Sequence, residues 1–137
     1  MDGVILTPLQ RVYNSKGDIF HGIKKNDSGF CGFGEAYFTS VEFNVVKGWK
    51  KHTRMTLNLI VPVGEVKFVI FNGNEFYSVF LSPNNYQRLT ITPGLWIGFK
   101  GLSNGLNLVL NVANIEHDST EAINCELDDI KYDWDIL

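Results

Sequence analysis

The chain has 137 residues, of which 45% are hydrophobic, and its formal net charge is −3. This length supports one domain with a buried core, and the apolar content argues against a disordered chain. The densest basic stretch, Lys50, Lys51 and Arg54, is narrower than the positive surface that nucleic-acid binding needs.

The sequence also bears on the compartment. No apolar run approaches the ~20 residues of a membrane helix. Residues 1–4 lack the basic region and the apolar region of a signal peptide. The two cysteines, Cys31 and Cys125, have no metal-ligand spacing and do not suggest a disulfide scaffold. We therefore expect a cytoplasmic protein that binds neither membranes nor nucleic acid.

Short segments rich in β-branched and aromatic residues alternate with turns along the chain. The strand candidates are residues 4–6, 35–46, 56–63, 66–71, 88–92 and 106–113. Gly, Pro, Asn and Ser clusters separate them. In the last candidate, the even-numbered side chains should face one way and the odd-numbered ones the other. Because no segment keeps a helical period, we predict an all-β sandwich or barrel.

Four motifs point to a family. Residues 81–99 contain Leu-Ser, a nearby Asn, a strand ending in Thr-Pro-Gly, and then Gly-Phe. Residues 35–41 read Glu-Ala-Tyr-Phe-Thr-Ser-Val, residues 47–52 read Lys-Gly-Trp-Lys-Lys-His, and residues 132–134 read Tyr-Asp-Trp. In order and spacing these resemble motifs of the dTDP-4-dehydrorhamnose 3,5-epimerase family. The resemblance implies an all-β, cupin-type jelly-roll barrel, with residues 1–137 as a single domain.

The resemblance implies an epimerase that acts on a 4-keto-6-deoxy sugar linked to a nucleotide, which the family indicates to be dTDP. It implies a role in deoxysugar or surface-polysaccharide synthesis. The 4-keto group acidifies the hydrogens on carbons 3 and 5, and epimerisation removes a proton and returns one on the other face. The same superfamily contains dTDP-sugar 3,4-ketoisomerases, and a cupin that only binds sugars is a third possibility. No cofactor is implied.

His52 is the predicted base, because it matches the family His and imidazole titrates near neutral pH. Asp128 or Asp129 lies in the region of the family Asp that would pair with the imidazolium. The proton-donating Tyr of the family matches Leu110, which has no proton to give. The replacements to consider are Tyr37, Tyr77 and Tyr86.

Four further residues are predicted to bind substrate: Lys47, Arg54, Asn58 and Trp96. Lys47 matches a family Arg and would hold phosphate or the enolate oxygen as a point charge. Arg54 and Asn58 lie close to the position of a family Lys, and Trp96 is a candidate for stacking on a base or sugar ring.

The histidine spacing bears on metal binding, and the N-terminal strand bears on assembly. The three histidines show no alternate-residue pair that would place two ligands on one strand face, so we expect no metal site. Family members pair through an N-terminal strand, so residues 4–6 are expected to contribute to a homodimer.

Overall fold

The computed structural model describes residues 1–136, and these form twelve strands and one short 3₁₀ turn, Leu127–Asp129. The strands are β1 (Val4–Pro8), β2 (Arg11–Val12), β3 (Ile19–Phe20), β4 (Glu35–Ser40), β5 (Val46–His52), β6 (Leu57–Val63), β7 (Val66–Phe71), β8 (Phe76–Leu81), β9 (Gln87–Ile91), β10 (Trp96–Gly101), β11 (Leu108–Ala113) and β12 (Ala122–Asn124). The all-β prediction is confirmed. Within the described part of the chain, no helix has the length and apolar character needed to span a membrane.

Ten strands form two five-stranded antiparallel sheets. Sheet I has the order β1-β9-β6-β11-β4, and sheet II has the order β12-β5-β10-β7-β8. Both sheets contribute to one core cluster, which includes Leu59 and Leu89 of sheet I and Phe68 and Leu81 of sheet II. Apolar side chains from the inner faces therefore join the two sheets, as burial of apolar surface requires.

Alternation along β11 decides which side chains reach the space between the sheets. Val109, Asn111 and Ala113 are buried, whereas Leu108 and Leu110 are only half-buried on the outer face. This follows from the two-residue period of a strand and confirms the predicted alternation. Leu110 consequently faces away from the interior.

A polar network fastens residues 22–29 against the outer face of sheet I. The fully buried guanidinium of Arg88 donates to the carbonyl oxygens of Gly22 and Ser28, both at 2.9 Å. The Asn58 amide donates to the Gly29 carbonyl at 3.1 Å and accepts from the Thr90 hydroxyl at 2.6 Å. Buried polar groups need hydrogen-bond partners, so this network explains how Arg88 and Asn58 can be buried at this position.

The C-terminal residues support β5 and β10 from behind. Trp134 packs against Trp49 with ring centroids 5.4 Å apart. A Cβ on Gly98 would come within 3.0 Å of the Trp134 ring, so the absent side chain allows this close packing. Lys100 adds an ion pair to Asp135 at 3.1 Å. These contacts pack against the outer sides of β5 and β10, whose inner sides face the cavity described below.

Candidate active site

A cavity of about 430 Å³ opens between the sheets. Its lining residues are Tyr37, Thr39, Lys47, Gly48, Trp49, Lys50, His52, Leu57, Leu59, Phe68, Ile97, Phe99, Val109, Asn111, Asn124 and Cys125. The floor is apolar, and the polar groups are concentrated on β4, β5, β11 and β12. A mostly apolar cavity with a few convergent polar groups is typical of a small-molecule site.

His52 stands at the end of β5, on the sheet II wall of the cavity. Its side chain is 12% exposed, and Nδ1 is hydrogen-bonded to Oε1 of Glu121. A carboxylate can only accept, so Nδ1 carries the hydrogen and Nε2 is left free to take a proton. The predicted base therefore lies where a base could act.

Glu121 is held by four donors. Besides His52, the backbone N–H groups of Thr53, Arg54 and Met55 each donate to Oε2 at 3.2 Å. Burial disfavours ionisation of this 2%-exposed side chain, but the bond from His52 and the backbone donors outweigh it and lower the pKa of Glu121. A carboxylate in this state fixes the imidazole orientation and stabilises an imidazolium.

The structure corrects the predicted carboxylate partner, which is Glu121 and not Asp128 or Asp129. Asp128 and Asp129 lie on the exposed 3₁₀ turn, where Asp129 accepts from the backbone N–H of Glu126 at 2.8 Å. Glu121 reaches His52 because β12 pairs with β5, with Ala122 opposite His52. Nothing in the sequence around Glu121 indicates that long-range pairing.

Tyr37 lies on the sheet I wall of the same cavity. It is on β4, opposite Asn111 of β11, and the Asn111 Nδ2 donates to its hydroxyl oxygen at 2.9 Å. Of the three tyrosines considered as proton donors, Tyr37 alone lines the cavity. Tyr77 packs against the core, and the Tyr86 hydroxyl donates to the His21 carbonyl at 2.7 Å.

Two lysines on β5 supply positive charge to the cavity. The Lys47 ammonium donates to the Ser40 carbonyl on β4 at 2.7 Å, which links the two sheets. Lys50 lies two residues before His52, so both side chains face the cavity, as the strand period requires. Lys50 was not among the predicted site residues, although its alternate spacing to His52 was visible in the sequence.

The other three predicted substrate contacts do not line the cavity. Arg54 is exposed and paired with Asp118 at 2.8 Å. Asn58 points to the outer face of sheet I because the neighbouring residues Leu57 and Leu59 point inward. The cavity between the sheets therefore gives no support to either residue as a substrate contact.

Strand alternation also keeps Trp96 out of the cavity. It precedes the inward-facing Ile97, and its ring lies beneath the Lys51 ammonium at 5.0 Å, outside the cavity. A cation over an indole face is a favourable packing contact, which accounts for the position of Trp96 without a ligand.

Neither metal nor thiol chemistry finds support in the side chains around the cavity. Within residues 1–136, no group of three His, Cys, Asp or Glu side chains is placed to hold a metal ion. Burial raises the pKa of the Cys125 thiol, and the nearby Asp129 and Glu126 charges raise it further. Cys125 therefore remains a neutral thiol near pH 7, which is a poor nucleophile.

No protein-family model matches the sequence, and no curated protein matches it either. Several solved structures are similar to the chain. A dTDP sugar isomerase from Desulfovibrio desulfuricans G20 is 32% identical, with 93% of this chain and 86% of the other covered and a TM-score of 0.88. The sugar 3,4-ketoisomerase QdtA from Thermoanaerobacterium thermosaccharolyticum is 22% identical, with 93% and 91% covered and a TM-score of 0.80.

The dTDP-6-deoxy-D-glucose-3,5-epimerase RmlC from Legionella pneumophila is 16% identical, with 93% of this chain and 74% of the other covered and a TM-score of 0.80. The two more distant structures show the shared fold, so the cupin jelly-roll prediction is confirmed. The identity and coverage of the Desulfovibrio isomerase carry the relationship further. The chain belongs to the dTDP-sugar isomerase and epimerase family of RmlC-like cupins.

Proposed function

We propose that the chain is an epimerase that acts in the cytoplasm on a dTDP-linked 4-keto-6-deoxy sugar. One observation carries the proposal: His52 and Tyr37 lie on opposite sheets of the same cavity. A sugar ring between them would have a base at one face and a proton donor at the other. Inversion of a carbon requires that arrangement.

The proposed steps follow from these positions. Nε2 of His52 removes the proton from a carbon next to the ketone, and the electrons of that C–H bond form an enolate on O4. Tyr37 then gives its phenolic proton to the opposite face of the carbon, which restores the ketone. Proton exchange with solvent returns both residues to their starting states. Glu121 holds the imidazolium formed in the first step.

Lys47 and Lys50 would supply the positive charge that the enolate and the sugar diphosphate need. Both lysines line the cavity from β5, and the Lys47 ammonium donates to the Ser40 carbonyl. Fixed cations next to developing negative charge lower the barrier, because the site need not reorganise during the reaction.

The deciding experiment is incubation with dTDP-4-keto-6-deoxyglucose in deuterated water, followed by proton NMR. Epimerisation predicts deuterium at carbon 3, carbon 5 or both, with new chemical shifts for the inverted sugar and the ketone still on carbon 4. Line broadening of the substrate without exchange above the buffer rate would instead indicate a cupin that only binds sugars.

A 3,4-ketoisomerase is the second candidate, because Lys50 and His52 share one face of β5. Moving a ketone from carbon 4 to carbon 3 transfers a proton between adjacent carbons, which groups on a single wall could serve. Carbon-13 NMR of the same incubation separates the two reactions, since ketoisomerisation moves the ketone carbon from position 4 to position 3, whereas epimerisation leaves it at position 4.

Replacing Tyr37 with Phe is expected to lower the rate of inversion by about 100-fold, because the proton donor on the sheet I wall is lost. Exchange at the carbon served by His52 should continue, since the base is intact. NMR in deuterated water measures both rates in one sample. Tyr77→Phe is the matched control, because that hydroxyl lies outside the cavity. Unchanged inversion in Tyr37→Phe would remove Tyr37 from the mechanism.

We also propose that the protein is a homodimer. β1 pairs with β9 of its own chain, from Val4 opposite Ile91 to Pro8 opposite Gln87, so the N-terminal strand need not be exchanged. The outer face of β4 and β11 exposes apolar surface instead: Phe38 is 63% exposed and lies opposite Leu110. A second copy covering this face would bury it, and closed symmetric pairs are the commonest assemblies.

Replacing Phe38 with Asp should convert a dimer into a monomer at micromolar concentration, because a buried unpaired carboxylate opposes association. Sedimentation equilibrium of both proteins measures the change. The control is Tyr13→Asp, at a 73%-exposed residue outside the two sheets. A wild-type protein that sediments as a monomer would rule the dimer out.

A further inference from the structure

Asn111 is a buried amide in the wall of the cavity. It is 3% exposed, lies on β11 opposite Tyr37 of β4, and has Leu59 of β6 on its other side. Apolar side chains would pack more easily on an inner sheet face. A buried amide at such a position needs partners for its oxygen and for its nitrogen.

Two hydrogen bonds settle which way the amide points. Oδ1 accepts the backbone N–H of Asn58 at 3.0 Å, and Nδ2 faces the hydroxyl oxygen of Tyr37 at 2.9 Å. The reverse orientation would place the NH₂ group against the Asn58 N–H, donor against donor. Because an amide nitrogen can only donate, the Tyr37 oxygen must accept.

This bond has a consequence for the hydrogen on Tyr37. An oxygen that accepts from Asn111 directs its own hydrogen elsewhere, and its other neighbour here is the Met55 sulfur at 3.9 Å, a weak acceptor. The phenolic hydrogen is thus available to a ligand in the cavity. Once that hydrogen has left, Asn111 donates its hydrogen bond to a phenolate oxygen. The bond is then charge-assisted and stronger.

We propose that Asn111 is a positioning residue that makes Tyr37 a proton donor. It fixes the direction of the Tyr37 hydroxyl and stabilises the phenolate that remains after proton transfer. The inference rests on the function proposed above, in which Tyr37 protonates the sugar. It assigns no contact between Asn111 and the reacting carbon.

Asn111→Asp is the sharpest test. The substitution preserves shape and keeps an oxygen for the Asn58 N–H, but it replaces the donor facing Tyr37 with an acceptor. An acceptor there captures the Tyr37 hydrogen and, when ionised, repels the phenolate. We expect kcat for inversion to fall about 100-fold, comparable to the loss of one donor to a developing oxyanion, with KM changed much less.

Two readouts separate this role from a merely structural one. The ratio of variant to wild-type kcat should rise as the pH is lowered, because the carboxyl group introduced by Asn111→Asp regains a donor when it is protonated. In a Tyr37→Phe background, Asn111→Asp should cause no further loss of the residual exchange, since the group that it positions is gone.

The outcomes are distinct. Wild-type inversion in Asn111→Asp, or an equal loss in the Tyr37→Phe background, would overturn the inference while leaving the proposed function in place. Wild-type inversion in Tyr37→Phe alone would overturn the inference and remove Tyr37 from the mechanism, whereas the absence of inversion in the wild-type protein would overturn the proposed function. A loss that is confined to the background containing Tyr37 and is relieved at lower pH supports the role of Asn111.

Discussion

Replacing His52 with Asn is expected to slow deuterium exchange next to the ketone by about three orders of magnitude, the middle of the range for loss of a general base. Asn retains a donor that can reach Glu121, so the buried carboxylate keeps a partner. What disappears is Nε2, the nitrogen left to take the proton. The loss should therefore appear in kcat, without a matching fall in the melting temperature.

Exchange rates from proton NMR, with substrate well above KM, measure this effect. His117→Asn is the matched control, because His117 lies outside the cavity. Exchange at the wild-type rate in His52→Asn would mean that another group removes the proton. A loss in His117→Asn of the same size would instead point to a general effect of removing a histidine.

The architecture could be predicted because it depends on short-range patterns. The strand candidate at residues 106–113 alternates, and β11 has the predicted separation of even-numbered and odd-numbered side chains onto two faces. Turn residues marked the boundaries between the remaining strands well enough to indicate an all-β fold. His52 was identified through a motif, and the structure brings it to the cavity wall.

The site was harder to predict because it depends on strand parity and pairing. Asn58 and Trp96 are each one residue away from an inward-facing neighbour, and a shift of one residue exchanges the two faces of a strand. Lys50 is two residues from His52 and therefore shares its face of β5, yet it was not among the predicted site residues. Proximity in sequence to a site residue is therefore a poor guide in a β-sheet.

Long-range contacts were beyond the sequence altogether. Glu121 is 69 residues from His52 and reaches it through a three-residue strand, too short to show a pattern. Tyr37 was one of three candidates, and only the position of β4 in sheet I places it across from His52. Each contact depends on how strands pair, which no local pattern specifies.

Replacing Glu121 with Ala should produce the largest loss of stability among the site variants. The substitution removes the oxygen that accepts the half-buried N–H of Arg54 and the buried N–H of Met55, whereas the Thr53 N–H keeps the Glu121 carbonyl oxygen at 2.7 Å. At about 1–3 kcal/mol for each unsatisfied buried donor, less where water reaches it, we expect a loss of about 2–4 kcal/mol in the free energy of unfolding. Urea unfolding near pH 7 measures it.

Glu121→Gln is the informative comparison. Gln keeps an oxygen for the backbone donors but removes the negative charge that stabilises an imidazolium at His52. Stability should fall less than in the Ala variant, while kcat still falls by about 10- to 100-fold. Equal stability losses in the two variants would show that the backbone bonds to Oε2 contribute little.

The lowered pKa of Glu121 also predicts how stability depends on pH. A carboxyl group whose pKa is lower in the folded state contributes stability that is complete above its unfolded value, about 4.5, and is lost as the pH falls through the folded value. The stability difference between wild type and Glu121→Gln should therefore be largest near neutral pH and shrink below about pH 4. Urea midpoints across that range measure the difference, and a constant gap down to about pH 3 would mean that Glu121 is not the group titrating there.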